Sequence, residues 1–121
     1  MMDHKAHIER AEKAYAAFKV LRREGLLEDA ASRRYYAIMH LARALLIKRE
    51  GKIPKTHSGL LARLWIKRKE LGLDEELVKG ISKAYSVRER GDYGVIPSVS
   101  EEDLDLMEEI IRKLWGIVED D

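Results

Sequence analysis

The segment ASRRYYAIMHLARALLI, residues 31–47, is the most apolar part of this 121-residue chain and the strongest indication of its fold. Between Tyr35 and Ile47 every side chain is apolar or aromatic except those of His40 and Arg43. A helix that is apolar on nearly every face is enclosed by other helices. The segment therefore predicts a central helix, running from about residue 28 to residue 50.

Four further amphipathic helices are predicted around it. Apolar residues recur at intervals of three and four, and only 2 prolines and 8 glycines interrupt them. The helices are expected over about residues 3–24, 57–71, 75–90 and 101–118, with an irregular connection over 91–99. Thr56 and Asp74 are the expected N-caps, Ser98 with Glu101 is the expected capping box of the last helix, and Trp65 is expected to face inward. These features predict an all-α, antiparallel, up-and-down bundle of four to five helices, in a single domain over residues 1–121.

Charge is unevenly distributed along the chain. The totals are 23 basic and 22 acidic residues, so the formal net charge is only +1. Residues 33–90 nevertheless hold 15 basic and 6 acidic side chains, whereas residues 101–121 hold 2 basic and 9 acidic ones. A polyanion would therefore meet the middle of the chain, and the acidic last helix should lie away from that surface or shield it.

Several classes of protein are excluded by what the sequence lacks. Cysteine is absent, which removes disulfides and thiolate metal sites and is compatible with a reducing cytoplasm, the expected location. No stretch approaches the roughly 20 apolar residues that span a bilayer, so no membrane association is expected. Phosphate-binding loops, dinucleotide fingerprints and the HExxH zinc motif are also missing, and neither a cofactor nor a metal is predicted.

Arg33 and His40 form the most informative pair. They are seven residues, or two helical turns, apart, and therefore share one face of the central helix with the small side chain of Ala37 between them. Arginine binds phosphate in a bidentate manner, and histidine exchanges protons near pH 7. Together they could promote attack of an RNA 2′-hydroxyl on its phosphodiester. The ordinary alternative is an exposed arginine and a buried core histidine.

Two further clusters lie in the same basic part of the chain. Lys55 and His57 begin the third predicted helix, where backbone N–H groups favour an anion, although simple capping would explain the same residues. Arg88 and Tyr93 lie where the fourth helix is expected to end, and could hold phosphate and stack on a base. The alternative for this cluster is an ion pair between an arginine and Asp92 that stabilises the turn.

Three segments of the chain resemble the small prokaryotic HEPN domains, named for higher eukaryotes and prokaryotes nucleotide-binding. They are ASRRYYAIMHLARALL (residues 31–46), GKIPKTHSGLL (51–61) and RERGDYG (88–94), in matching order. The family's ribonuclease signature is an arginine, four to six residues, then a histidine, which Arg33 and His40 match. In members that carry this signature a small polar residue usually follows the arginine, whereas this chain has Arg34.

The resemblance implies a dimeric helical bundle with its active face at the dimer interface. It also implies a metal-independent endoribonuclease and a minimal nucleotidyltransferase partner that acts as antitoxin. The leading hypothesis is therefore a homodimeric toxin acting on RNA, in which Arg33 binds the scissile phosphate, His40 is general acid and base, and Tyr36 orients either. Substrate or nucleotide contacts are expected from Lys55, His57, Arg88 and Tyr93. The alternatives are a non-catalytic module that binds RNA or a nucleotide, and a helical interaction protein.

Overall fold

The computed structural model describes residues 3–94 and 98–119, and these residues form an all-helical bundle. The helices are α1 (His4–Arg23), α2 (Leu27–Glu50), α3 (His57–Ile66), α4 (Arg68–Leu71), α5 (Glu75–Tyr93) and α6 (Glu101–Glu119). The predicted fold class is confirmed. Within the described ranges, no helix combines the length and apolar character needed to cross a membrane.

Helix α2 is the centre of the bundle, as its apolar sequence predicts. It packs against α1, α5 and α6, and residues 37–46 are buried except for the half-buried Arg43. Because these three helices cover α2, side chains on several of its faces are removed from solvent. This burial of apolar surface is the main stabilising contribution to the core. Its buried apolar residues are Ala30, Ala31, Tyr35, Ala37, Ile38, Met39, Leu41, Ala42, Ala44, Leu45 and Leu46.

Helices α1 and α2 run antiparallel. His7 contacts His40, and Arg10, which is later on α1, contacts Tyr36, which is earlier on α2. The two helices therefore run in opposite directions. Helix α6 packs against α2 and α5, and Tyr15 of α1 donates a 2.8 Å hydrogen bond to Glu108 of α6. The predicted apolar stripe of α6 is buried throughout: Leu104, Met107, Ile111, Leu114 and Val118.

The helix ends follow local chemistry. The side chains of Thr56 and Asp74 accept hydrogen bonds from the backbone N–H groups of Gly59 and Leu77, which confirms both predicted N-caps. Gly51 ends α2 with a φ of +79°. This left-handed backbone conformation is unfavourable for residues that have a Cβ atom.

The predicted third helix is divided at Lys67. The N–H of Lys67 bonds to the carbonyl oxygens of both Arg63 and Trp65, and a separate single turn, α4, follows. This interruption turns the chain so that Leu71 and Leu73 are both buried. The prediction that Trp65 faces inward is wrong, because its side chain is 38% exposed under the guanidinium of Arg68.

Helix α5 continues three residues beyond its predicted end, to Tyr93. Gly91 does not end the helix but lies close to the chain that follows, since a Cβ there would come within 3.2 Å of the Val99 side chain. An ion pair of 2.8 Å between Arg88 and Asp92, one turn apart, also supports the last turn. The predicted irregular connection therefore begins only at Gly94, and its residues 95–97 lie outside the described ranges.

The capping box of α6 is formed by Ser100 and Asp103, not by Ser98 and Glu101 as predicted. The N–H of Asp103 donates to the Ser100 hydroxyl, and the Ser100 N–H donates to the Asp103 carboxylate. Both pairs have the required spacing, so the sequence alone could not distinguish them. Ser98 instead donates its hydroxyl to the carbonyl oxygen of Arg90.

Candidate functional site

A groove of about 560 Å³ runs between α1 and α2 and continues along the segment that connects α2 to α3. We call it the α1–α2 groove. Six of its lining residues are basic or imidazole-bearing and four are apolar or aromatic, and no acidic residue in the described part of the chain lines it. The lining residues are His7, Arg10, Tyr36, His40, Arg43, Ile47, Lys52, Ile53, Pro54 and Lys55.

Arg33, Tyr36 and His40 form a row along one edge of α2, which runs from the exposed Arg33 to the buried His40. The Arg33 guanidinium carbon lies 5.6 Å from the centre of the Tyr36 ring, and the Tyr36 and His40 ring centres are 4.4 Å apart. Arg10 donates a 3.3 Å hydrogen bond to the Tyr36 hydroxyl from α1. Arg33 itself lines a shallow neighbouring cavity with Arg10 and Lys13, so Tyr36 separates the exposed arginine from the groove.

His40 is nearly inaccessible at the base of this row, with only 3% of its surface exposed. Burial, followed by the charge of Arg43, lowers the pKa of His40 to about 4, so the imidazole is neutral at pH 7. Its Nε2 atom has no hydrogen-bond partner among the described residues. A neutral imidazole can accept a proton, so His40 fits the role of base better than that of acid.

His7 lies on α1 directly beside His40, and sequence reasoning missed it. The two Nδ1 atoms are 2.8 Å apart, and His7 is 4% exposed. Burial and the charges of Arg43 and Arg10 lower the pKa of His7 as well. The sequence feature that could have identified His7 is its position. It shares the buried face of α1 with Ala11, Ala14 and Phe18, where a polar side chain is unusual.

Arg43 is the second residue that the sequence reasoning did not assign to the site. It lies one turn beyond His40 on α2, half-buried, and no carboxylate in the described part of the chain pairs with it. Its charge lowers the pKa values of His7, His40 and His57. The only signal in the sequence was its charge within an apolar segment.

The other predicted site residues lie in the α1–α2 groove, in a second cavity and on the surface of the protein. Lys55 lines the α1–α2 groove, whereas His57 and Arg88 line a separate cavity on the other side of Tyr36. Arg88 pairs with Asp92, which is the ordinary structural role considered for this cluster. Tyr93, at the end of α5, is 74% exposed and lies in neither place.

Arg34, the residue that departs from the family pattern, points into the bundle. It is completely buried, forms an ion pair with Glu108 of α6, and has its guanidinium carbon 3.5 Å from the centre of the Phe18 ring. Adjacent residues on a helix point about 100° apart, so Arg34 can pack in the core while Arg33 stays exposed. Arg34 therefore contributes to packing and leaves the row on α2 unobstructed.

The electrostatics of the groove favour an anionic ligand. Arg10, Arg43, Lys52 and Lys55 supply positive charge, and the acidic helix α6 contributes no residue to the lining. The acidic helix thus lies away from the groove, one of the two arrangements that the charge distribution predicts. In residues 3–94 and 98–119, no three histidine or carboxylate side chains are grouped so as to hold a metal ion.

Comparison with known proteins agrees with this architecture. The model of the HEPN domain matches residues 4–120. A protein of Archaeoglobus fulgidus named "UPF0332 protein" is 38% identical over 95 residues, covering 78% of this chain and 75% of that protein. Two proteins of Methanocaldococcus jannaschii, both named "Putative toxin", are 36% and 37% identical, covering 83% and 80% of this chain and 68% and 72% of their own lengths. This chain belongs to the HEPN domain family.

Proposed function

We propose that this HEPN protein is a metal-independent endoribonuclease, and that it is the toxin of a toxin–antitoxin pair in the cytoplasm. The row of Arg33, Tyr36 and His40 beside a groove without acidic lining is the observation that carries the proposal. The guanidinium of Arg33, the ring of Tyr36 and the neutral imidazole of His40 lie along one edge of α2, and the proposal assigns phosphate binding to the first of them. The names of the two Methanocaldococcus relatives support the toxin role.

In the proposed reaction, Arg33 binds the non-bridging oxygens of the scissile phosphate. The Nε2 atom of His40 accepts the proton of the neighbouring 2′-hydroxyl, whose oxygen attacks phosphorus. The bond from phosphorus to the 5′-oxygen breaks, the proton passes from His40 to that oxygen, and a 2′,3′-cyclic phosphate remains. Because His40 is 3% exposed, the wall of the groove must shift before the substrate reaches it.

The proposed assembly is a homodimer, with a minimal nucleotidyltransferase as the antitoxin. A dimer formed along the exposed edge of α2 would bring two copies of Arg33 and Tyr36 together. Such an arrangement would enclose both grooves and exclude water from the reacting phosphate, which strengthens the electrostatic contribution of each arginine.

The burial of His40 favours one alternative, a non-catalytic module that binds RNA or a nucleotide. With its Nδ1 atom engaged by His7 and its pKa near 4, His40 could serve only to shape the groove while the surrounding cations bind phosphate. A helical interaction protein remains the third hypothesis, and it predicts neither cleavage nor affinity for RNA.

Incubation with a short single-stranded RNA in the presence of EDTA separates the three. The endoribonuclease cleaves it, fails to cleave a substrate with 2′-deoxyribose at the cleaved position, and loses activity in the Arg33→Gln and His40→Gln variants. Lys69→Gln removes an exposed charge that is distant in sequence from Arg33 and His40, and it serves as the matched control. Salt-dependent binding without cleavage would favour the binding module, and the absence of both would leave the interaction protein.

A further inference from the structure

A second cavity, of about 200 Å³, lies between α2, α3 and α5. Helix α2 contributes Ser32, Tyr35, Tyr36 and Arg43, α3 contributes His57, and α5 contributes Arg88. We call it the α2–α5 cavity. Tyr36 and Arg43 line both this cavity and the α1–α2 groove, so the two spaces adjoin across these side chains.

Two buried polar atoms at this cavity have no partner among the described residues. They are the hydroxyl oxygen of Tyr35, a residue only 2% exposed, and the Nδ1 atom of His57. Buried polar groups in folded proteins are almost always hydrogen-bonded, and a bound water or ion is one of the explanations for an unpaired one. A single water occupies about 30 Å³, so a cavity of this size has room for a larger group.

The chemistry of the lining selects an anion. Among the residues that the structure describes, every polar side chain around the α2–α5 cavity can donate a hydrogen bond, two of them are permanently cationic, and no carboxylate is part of the lining. Asp92 holds the guanidinium of Arg88 from outside at 2.8 Å and so restricts its orientation. Arg43 has no carboxylate to neutralise it in the described ranges and is available to a ligand.

We infer that the α2–α5 cavity is a phosphate site, with Tyr35, Arg43 and Arg88 as its hydrogen-bond donors. A tetrahedral phosphate matches several convergent donors, and bidentate contact with arginine is the strongest form of such recognition. If the protein has the proposed function, this site holds the RNA phosphate next to the scissile phosphate. Arg43 then contacts the RNA backbone between these two phosphates. The phosphate site itself rests on the cavity, whereas its role with RNA rests on the proposed function.

Binding of inorganic phosphate and of adenosine to the full-length chain tests the inference, with chemical shifts of the His57 imidazole as the local signal. Phosphate should shift the His57 signals and adenosine should not. The Tyr35→Phe variant should bind phosphate about tenfold more weakly, because it lacks one hydrogen bond to a charged ligand. Its melting temperature should not fall, because the deleted hydroxyl has no hydrogen-bond partner among the described residues.

Arg43→Gln is the second variant and Lys69→Gln the matched control. Arg43→Gln should weaken phosphate binding at least as much as Tyr35→Phe, and Lys69→Gln should leave it unchanged. Unaltered affinity in Tyr35→Phe and Arg43→Gln, or His57 shifts produced by adenosine alone, would overturn the phosphate site. If phosphate binding responds as expected while RNA is not cleaved, the site stands and the endoribonuclease proposal fails.

Discussion

The Nδ1 atoms of His7 and His40 lie 2.8 Å apart, where α1 crosses the buried side of α2. One of the two nitrogens must carry a hydrogen and the other must present a lone pair, so the contact exists only while at least one ring is neutral. Burial lowers the pKa values of both rings and favours this state. The pair therefore couples the packing of α1 on α2 to pH.

The free energy of unfolding should fall in mild acid. The pKa of His40 is about 4 in the folded chain and 6.5 in the unfolded one, so the unfolded chain takes up its proton first as pH falls. The stabilisation is complete above pH 6.5 and is lost as pH falls towards 4, by about 3 kcal/mol from this residue. Urea unfolding at pH 7, 6 and 5 measures the slope.

His40→Gln should flatten this slope, and His4→Gln, a substitution near the start of α1, should not. An identical slope in the wild type and the His40→Gln variant would show that other groups account for the acid sensitivity.

Truncation of the adjacent residues Arg33 and Arg34 should change the free energy of unfolding by very different amounts. Arg34→Ala removes a fully buried side chain packed on Phe18 and paired with Glu108, so we expect a loss of about 2–4 kcal/mol. Arg33→Ala removes an exposed side chain and should change stability by less than about 0.5 kcal/mol. Thermal or urea unfolding gives both values, and a large effect of Arg33→Ala would contradict its surface role.

Tyr36 should contribute to RNA binding through its ring more than through its hydroxyl. The ring lies between Arg33 and His40, whereas the hydroxyl only accepts an exposed, 3.3 Å hydrogen bond from Arg10. Tyr36→Ala should weaken binding of a non-cleavable single-stranded oligonucleotide about tenfold or more, the usual effect of losing one stacked base. Tyr36→Phe is the control. If both variants lose the same affinity, the hydroxyl matters and stacking does not.

Two glycines allow a test of the helix ends. Gly51→Ala should cost about 1 kcal/mol, because the φ of +79° is unfavourable for alanine even though no atom obstructs the new Cβ. Gly116→Ala, on the exposed face of the last turn of α6 and equally unobstructed by the described residues, should add up to about 1 kcal/mol through helix propensity. Urea unfolding compares them, and equal effects would contradict the assigned end of α2.

Local order along the chain could be predicted from the sequence. The apolar run of residues 35–47 predicts the central helix, and a period of 3.6 residues places Arg33, Tyr36 and His40 along one edge of it. Helix periodicity, caps and glycines act over a few residues, so most of these features can be predicted from a single sequence, although the capping box of α6 was formed by Ser100 and Asp103 and not by the predicted pair. The division of the third helix at Lys67 was not predictable, because it depends on how Leu71 and Leu73 reach the core.

The composition of the site depends on contacts between helices. His7 and His40 are 33 residues apart, and Arg34 and Glu108 are 74 apart, yet each pair meets because α1, α2 and α6 adopt one particular rotation and offset. The same packing buries His40, leaves Arg43 between two cavities, and places His57 and Arg88 outside the groove. Which face of α2 carries the candidate chemistry follows from the order of its residues. Which residues of other helices meet that face depends on the three-dimensional packing, because rotation and offset between helices arise from the whole core.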